Sequence, residues 1–178
     1  MAEIAGLKLI TPSSVAGSGV SLSGAKVTFT SATSISLNGI FDSTYDNYVI
    51  VMWHIHSANT SFNMRLRSSG TDASGSNYTY QYVYADNTTV AGSRSSSQAQ
   101  MRVGPTNTPI TGNQIYFYGP ALAQPTATRN VSAGGLSGGY ILDYAGTHSL
   151  STSYDGCSLI SASGSFTSGS LTVYGLSQ

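Results

Sequence analysis

The chain of 178 residues carries seven basic and seven acidic side chains, so it has no formal net charge, and only 8% of its residues are charged, against about 25% in an ordinary globular domain. That balance excludes the field that draws a protein to nucleic acid or to an anionic membrane surface. A single Cys157 excludes an intrachain disulfide and a thiolate zinc cluster, so stability rests on packing or assembly.

A length of this order is that of one domain able to bury its own core. Residues 1–24 combine a short apolar patch, Ile4, Leu7, Leu9 and Ile10, with Pro12, Gly17, Gly19 and Gly24. Glu3 and Lys8 interrupt the patch, which is too short and too mixed for a signal peptide or a membrane span. The composition predicts an extended N-terminal arm over residues 1–24, loosely held or docked on a neighbour, ahead of a single domain over residues 25–178.

Lys26 to Thr30 and Ser34 to Asn38 alternate apolar and polar residues and read as half-buried strands. Asn38-Gly39 suits a turn with positive φ. A turn-rich acidic loop then runs into Tyr48 to Ile55, the longest apolar run in the chain. With no Gly or Pro to break it, this stretch predicts a central strand whose two faces both need cover. Phe62, Met64 and Leu66 alternate with Asn63, Arg65 and Arg67, and Tyr78, Tyr80, Tyr82 and Tyr84 line one face of a further strand. Short runs at Gln98 to Val103, Gln114 to Tyr118, Thr126 to Ser132, Gly139 to Tyr144, Cys157 to Ser161 and Ser170 to Tyr174 follow, separated by turn signals. No window carries a capped 3.6-residue apolar stripe. The reading is an all-β domain, an antiparallel two-sheet sandwich of the jelly-roll kind. Exposed strand edges are commonly guarded by lysine, and this chain has only Lys8 and Lys26, so a partner subunit is expected to cover its edges.

Residues suited to chemistry are few. His54 and His56 project from one face of a continuous strand, and with His148 they are the candidates for a three-His metal site. No carboxylate lies nearby in sequence to orient a ring, and a strand leaving the core through a polar end explains the pair equally, so no metal or other cofactor is expected. Gly135-Leu136-Ser137-Gly138-Gly139 matches the G-x-S-x-G letters of a nucleophile elbow without the strand-to-helix context which that turn requires. Asp42, Asp46 and Asp155 read as turn formers. No triad, carboxylate pair or metal set emerges, and an enzyme is not expected. The tyrosines 78, 80, 82 and 84 suit cross-strand packing, a subunit interface or contact with a glycan.

Gly39-Ile40-Phe41-Asp42-Ser43-Thr44-Tyr45-Asp46-Asn47-Tyr48-Val49-Ile50, Arg65-Leu66-Arg67-Ser68-Ser69-Gly70-Thr71-Asp72, Tyr116-Phe117-Tyr118-Gly119-Pro120-Ala121 and Leu171-Thr172-Val173-Tyr174-Gly175 carry a resemblance. In this order, from about Lys26 to the end, the chain resembles small virion structural proteins of tailed bacteriophages, notably those infecting cyanobacteria, which are labelled structural or tail-fibre-like. The resemblance implies a place on the exterior of the virion after assembly in the host cytoplasm. Two roles follow as expectations. One is a capsid decoration (cement) protein, a homotrimer bound to the major capsid protein through the patch Ile4, Leu7, Leu9 and Ile10. The other is a tail fibre or tail adaptor module touching a host surface glycan.

Overall fold

Sixteen strands are found among the described residues. A computed structural model describes residues 6–86, 88–106, 108–134 and 139–176, and among them there is no helix. The strands are β1 (Leu7–Ile10), β2 (Ser14–Ala16), β3 (Val20–Ser23), β4 (Lys26–Phe29), β5 (Ser34–Asn38), β6 (Asn47–His56), β7 (Thr60–Ser68) and β8 (Thr71–Asp72). They continue as β9 (Tyr78–Asp86), β10 (Thr89–Gln98), β11 (Met101–Thr106), β12 (Thr111–Tyr118), β13 (Thr126–Gly134), β14 (Tyr140–His148), β15 (Gly156–Ser161) and β16 (Phe166–Leu176). Every pairing is antiparallel.

The strands form two sheets, as the alternating pattern requires. The larger runs β10-β9-β14-β13-β12-β6-β16-β4-β3, with β1 also on β16; the smaller runs β11-β7-β15-β5-β2, with β8 on β7. Side chains from the facing surfaces make one core: Val27, Phe29, Ile35, Leu37, Tyr48, Ile50, Phe62, Met64, Leu66, Ile115, Phe117, Leu159, Phe166 and Val173 are buried. Phe166 lies edge-on to Phe29 at 5.7 Å and to Phe62 at 5.9 Å between ring centres, the perpendicular packing favoured by aromatic quadrupoles.

β6 sits between β12 and β16, the central place expected of the apolar run. Its inward residues Tyr48, Ile50, Met52, His54 and His56 are all buried. The outward half departs from expectation. Val49, flanked in register by Tyr116 and Tyr174, is covered, whereas Val51 and Trp53 stand 40% and 42% exposed. The reason is geometric: the smaller sheet covers only one face of the larger one, and no element crosses the other in the described residues.

Within the N-terminal stretch β1 pairs with β16, β2 with β5 and β3 with β4, so residues 7–23 take part in both sheets. The unpaired amides of β16 and β5 give a short extended segment hydrogen-bonding partners within its own chain. Gly39 adopts φ of 62°, as the Asn38-Gly39 turn demands.

Candidate functional site

The three histidines do not converge. His54 and His56 share the inward face of β6, while His148 ends β14. In register His54 lies opposite Thr111 at one end of β12, and His148 opposite Thr126, beyond the other end, a separation of roughly 26 Å along the strands. The described residues hold no group of three or more His, Cys, Asp or Glu able to bind a metal ion.

Each ring has a packing role instead. His54 is wholly buried, edge-on to Phe62 at 5.5 Å and Phe166 at 5.2 Å; its Nδ1 faces Asn113 Nδ2 at 3.4 Å, and its Nε2 has no hydrogen-bond partner. Burial, with a smaller contribution from His56, pushes its pKa from 6.5 to about 4, so the ring is neutral. His56 accepts from the Ala58 amide at 3.1 Å through Nδ1 and meets Ser161 Oγ at 2.8 Å through Nε2; burial lowers its pKa too. His148 packs on Tyr78 at 4.4 Å, and its Nδ1 lies 3.1 Å from the Tyr154 hydroxyl.

A polar layer continues from His54 across the core. The inward residues of β13 are Thr126, Thr128, Asn130 and Ser132, all buried. Asn130 Nδ2 donates to Asn113 Oδ1 at 3.1 Å, to Ser132 Oγ at 2.8 Å and to the Val103 carbonyl, and Ser132 Oγ donates to Asn113 Oδ1 at 2.7 Å. On the smaller sheet the Arg67 guanidinium donates to Asp72, to Ser158 Oγ at 2.8 Å, to Asn38 Oδ1 at 3.0 Å and to the Gly70 carbonyl. Most of these groups bond to one another, an arrangement that fixes strand register.

Asp42 forms a turn, its Oδ1 accepting from the Thr44 amide at 2.7 Å, whereas Asp155 ties distant segments together, its Oδ2 accepting from the Ser69 amide at 2.9 Å. Residues 135–138 of the G-x-S-x-G match lie outside the described residues; the strands before and after them, β13 and β14, are antiparallel neighbours.

The four tyrosines all face inward from β9. Tyr78 is wholly buried: its hydroxyl donates to the Ala73 carbonyl at 2.8 Å and accepts from the Leu66 amide at 2.9 Å, and burial raises its pKa. Tyr80 packs partly against the core. Tyr82 lies 4.9 Å from the Tyr144 ring and 6.4 Å from Tyr84, with the Arg102 guanidinium 5.1 Å above its face. The ladder thus grades from core at Tyr78 to a half-buried cluster where β9 overhangs the smaller sheet's edge strand, β11.

Two apolar surfaces remain uncovered. At one flank of the larger sheet, Leu7 and Leu9 of β1 stand 55% and 57% exposed while Ile10 turns onto the core; Ile4 lies outside the described residues. At the other flank Val83, Val90, Val131 and Ile141 project from the outer face at 49%, 72%, 43% and 65% exposure. Sequence reasoning did not single out these last four. The signal was present in β13, where polar residues occupy every position of one face and Val131 stands on the other. Compared with known proteins, the chain matches no family model, and no relative emerges among curated proteins.

Proposed function

We propose that this chain is a bacteriophage virion structural protein of the capsid decoration kind, attached to the outer surface of the shell through β1. One observation carries the attachment site: β1 is fastened to its own fold by four register pairs with β16 and by Ile10, while Leu7 and Leu9 face outward, more than half exposed. Apolar side chains presented from a rigid strand bind with less ordering cost than a free arm does. The near-absence of charge suits a protein whose contacts are apolar and hydroxyl-rich, and the sequence resemblance to small phage virion proteins supplies the setting.

The test is occupancy on purified particles. Quantitative mass spectrometry is expected to find this chain in numbers near those of the major capsid protein, because only the shell offers so many equivalent sites. The double variant L7R/L9R is expected to fold with unchanged circular dichroism and to lose binding to shells; undiminished occupancy refutes the attachment. The half-buried Tyr82 and Tyr84, with Arg102 over the Tyr82 ring, favour a second reading, a tail module touching host glycans, since aromatic faces beside a guanidinium suit sugar contact. A copy number far below that of the capsid protein selects it.

A further inference from the structure

The two sheets end unevenly. β11 closes the smaller sheet over β13 and β14: Met101 Sδ accepts from Thr128 Oγ1, and a Cβ on Gly146 would collide with the same sulfur. β9 and β10 carry the larger sheet on past β14, so their inward residues form a ledge beside the wall that β11 makes. Register sets Ser93 beside Tyr82 and Ser95 beside Tyr80 on this ledge, with Tyr84 next along β9. All three tyrosines are half-buried, and Ser93 is exposed.

Arg102 reaches from the wall onto the ledge, its guanidinium carbon 5.1 Å above the centre of the Tyr82 ring. Other arginines of the sheets have acceptors within the chain: Arg65 donates to the Ala99 carbonyl, Arg67 to Asp72 and Arg129 to Asp143. For Arg102 neither an acceptor nor an ion pair is found among the described residues. Its Nε is buried without a partner, so the Nη groups are the donors left to reach outward from this half-buried side chain. Packing around Nε and the ring beneath hold the guanidinium plane in place, and a ring face alone answers its charge.

We propose that the step between Arg102 and the Tyr82–Tyr84 ledge binds a saccharide that carries a carboxylate, of the uronic or sialic acid class. The planar carboxylate accepts from the Nη groups, the geometry that a guanidinium fork matches. The C–H face of the sugar packs on Tyr84, and its hydroxyls exchange hydrogen bonds with Ser93 and Ser95. A neutral sugar would leave the guanidinium without an anion, and a simple anion would leave the aromatic face bare. The chain as a whole has no net charge, so a polyanion such as nucleic acid finds no broad field here and recognition is local to one cation. The proposal rests on the glycan-touching reading of Tyr82 and Tyr84 and names the class of glycan.

A glycan array that pairs uronate- and sialate-terminated oligosaccharides with their neutral counterparts tests it on the full chain. The wild type is expected to hold acidic saccharides roughly tenfold more tightly than neutral ones, the lower end of what a hydrogen bond to a charged group contributes, and to weaken as salt is raised. Arg102→Met, which removes the charge at similar length, is expected to bind both kinds alike with its circular dichroism spectrum kept; Tyr84→Ala is expected to lose both. Equal binding of acidic and neutral saccharides by the wild type, or a preference that survives Arg102→Met, would overturn the carboxylate and spare the glycan reading. Retention of neither kind would overturn both. Acetate or inorganic phosphate displacing the saccharide at equal concentration would show a general anion site and overturn the inference as well.

Discussion

Replacing His54 by phenylalanine removes a buried proton acceptor and keeps a ring among Phe62 and Phe166. The folded chain holds His54 neutral with its pKa near 4, whereas the unfolded chain restores it to about 6.5. Above pH 6.5 the ring is neutral in both states and contributes no pH dependence. As pH falls below 6.5 the unfolded chain takes up the proton first, so unfolding binds protons and stability declines; the loss is complete once pH passes below the folded value near 4. At about 1.4 kcal/mol per pKa unit, the full loss is about 3 kcal/mol, of which about 2 kcal/mol has already gone by pH 5. For a domain of this size that corresponds to a fall of about 4–8 °C in Tm between pH 7 and pH 5 from His54 alone. His56 and His148, whose pKa values are also lowered by burial, act in the same direction. Thermal melts at both pH values in wild type and H54F isolate the effect, since the altered contact with Asn113 is common to both pH values and cancels in the difference. The variant is expected to lose about 4–8 °C less than the wild type. Equal losses would show that His54 titrates normally in the folded chain, and the burial argument would fail.

Two further substitutions probe the polar contacts that hold the sheets. Asp72→Ala leaves the Arg67 guanidinium, a side chain 11% exposed, without its carboxylate. The expected loss is about 2–3 kcal/mol in urea unfolding, below the ~3–5 of a fully buried pair because Asp72 is itself 24% exposed; a loss under about 0.5 kcal/mol would place the pair among ordinary surface pairs. Tyr78→Phe removes a hydroxyl that satisfies both the Ala73 carbonyl and the Leu66 amide, with an expected loss of about 1–3 kcal/mol. An unchanged midpoint would mean that water takes over both contacts.

The runs legible in the sequence were those with a strong period of two. Residues 34–38, 114–118 and 170–174 lie in β5, β12 and β16 and 26–29 of the run 26–30 in β4, because alternation of apolar and polar residues reports which face meets the core, while the unbroken apolar run 48–55 lies in β6. β10 was not legible: Thr-Val-Ala-Gly-Ser-Arg-Ser-Ser-Ser-Gln lacks an apolar face, and it is a strand because the free edge of β9 pairs with it. β1 to β3 were hidden for the same reason, since their pairing with β16, β5 and β4 is a long-range contact with no local signature. His54 and His56 were correctly placed on one face, but their distance from His148 depends on which strands neighbour one another, which one sequence does not encode locally. The outward group Val131, Ile141, Val83 and Val90 comes from four strands, and only the sheet order assembles it.

β13 joins these levels. Slipping it by one residue against β12 and β14 would turn Val131 and Ala133 into the core and Asn130 and Ser132 out to solvent, the arrangement that burial alone favours. What opposes the slip is polar. Inside, Asn130 meets Asn113, Ser132 and the Val103 carbonyl; outside, Arg129 grips Asp143 in register. A buried amide that loses such partners costs about 1–3 kcal/mol, and a slipped strand would forfeit all of them together. The chain therefore gives up apolar burial in its core to hold a register in which Val131 faces outward beside Ile141 and Val83.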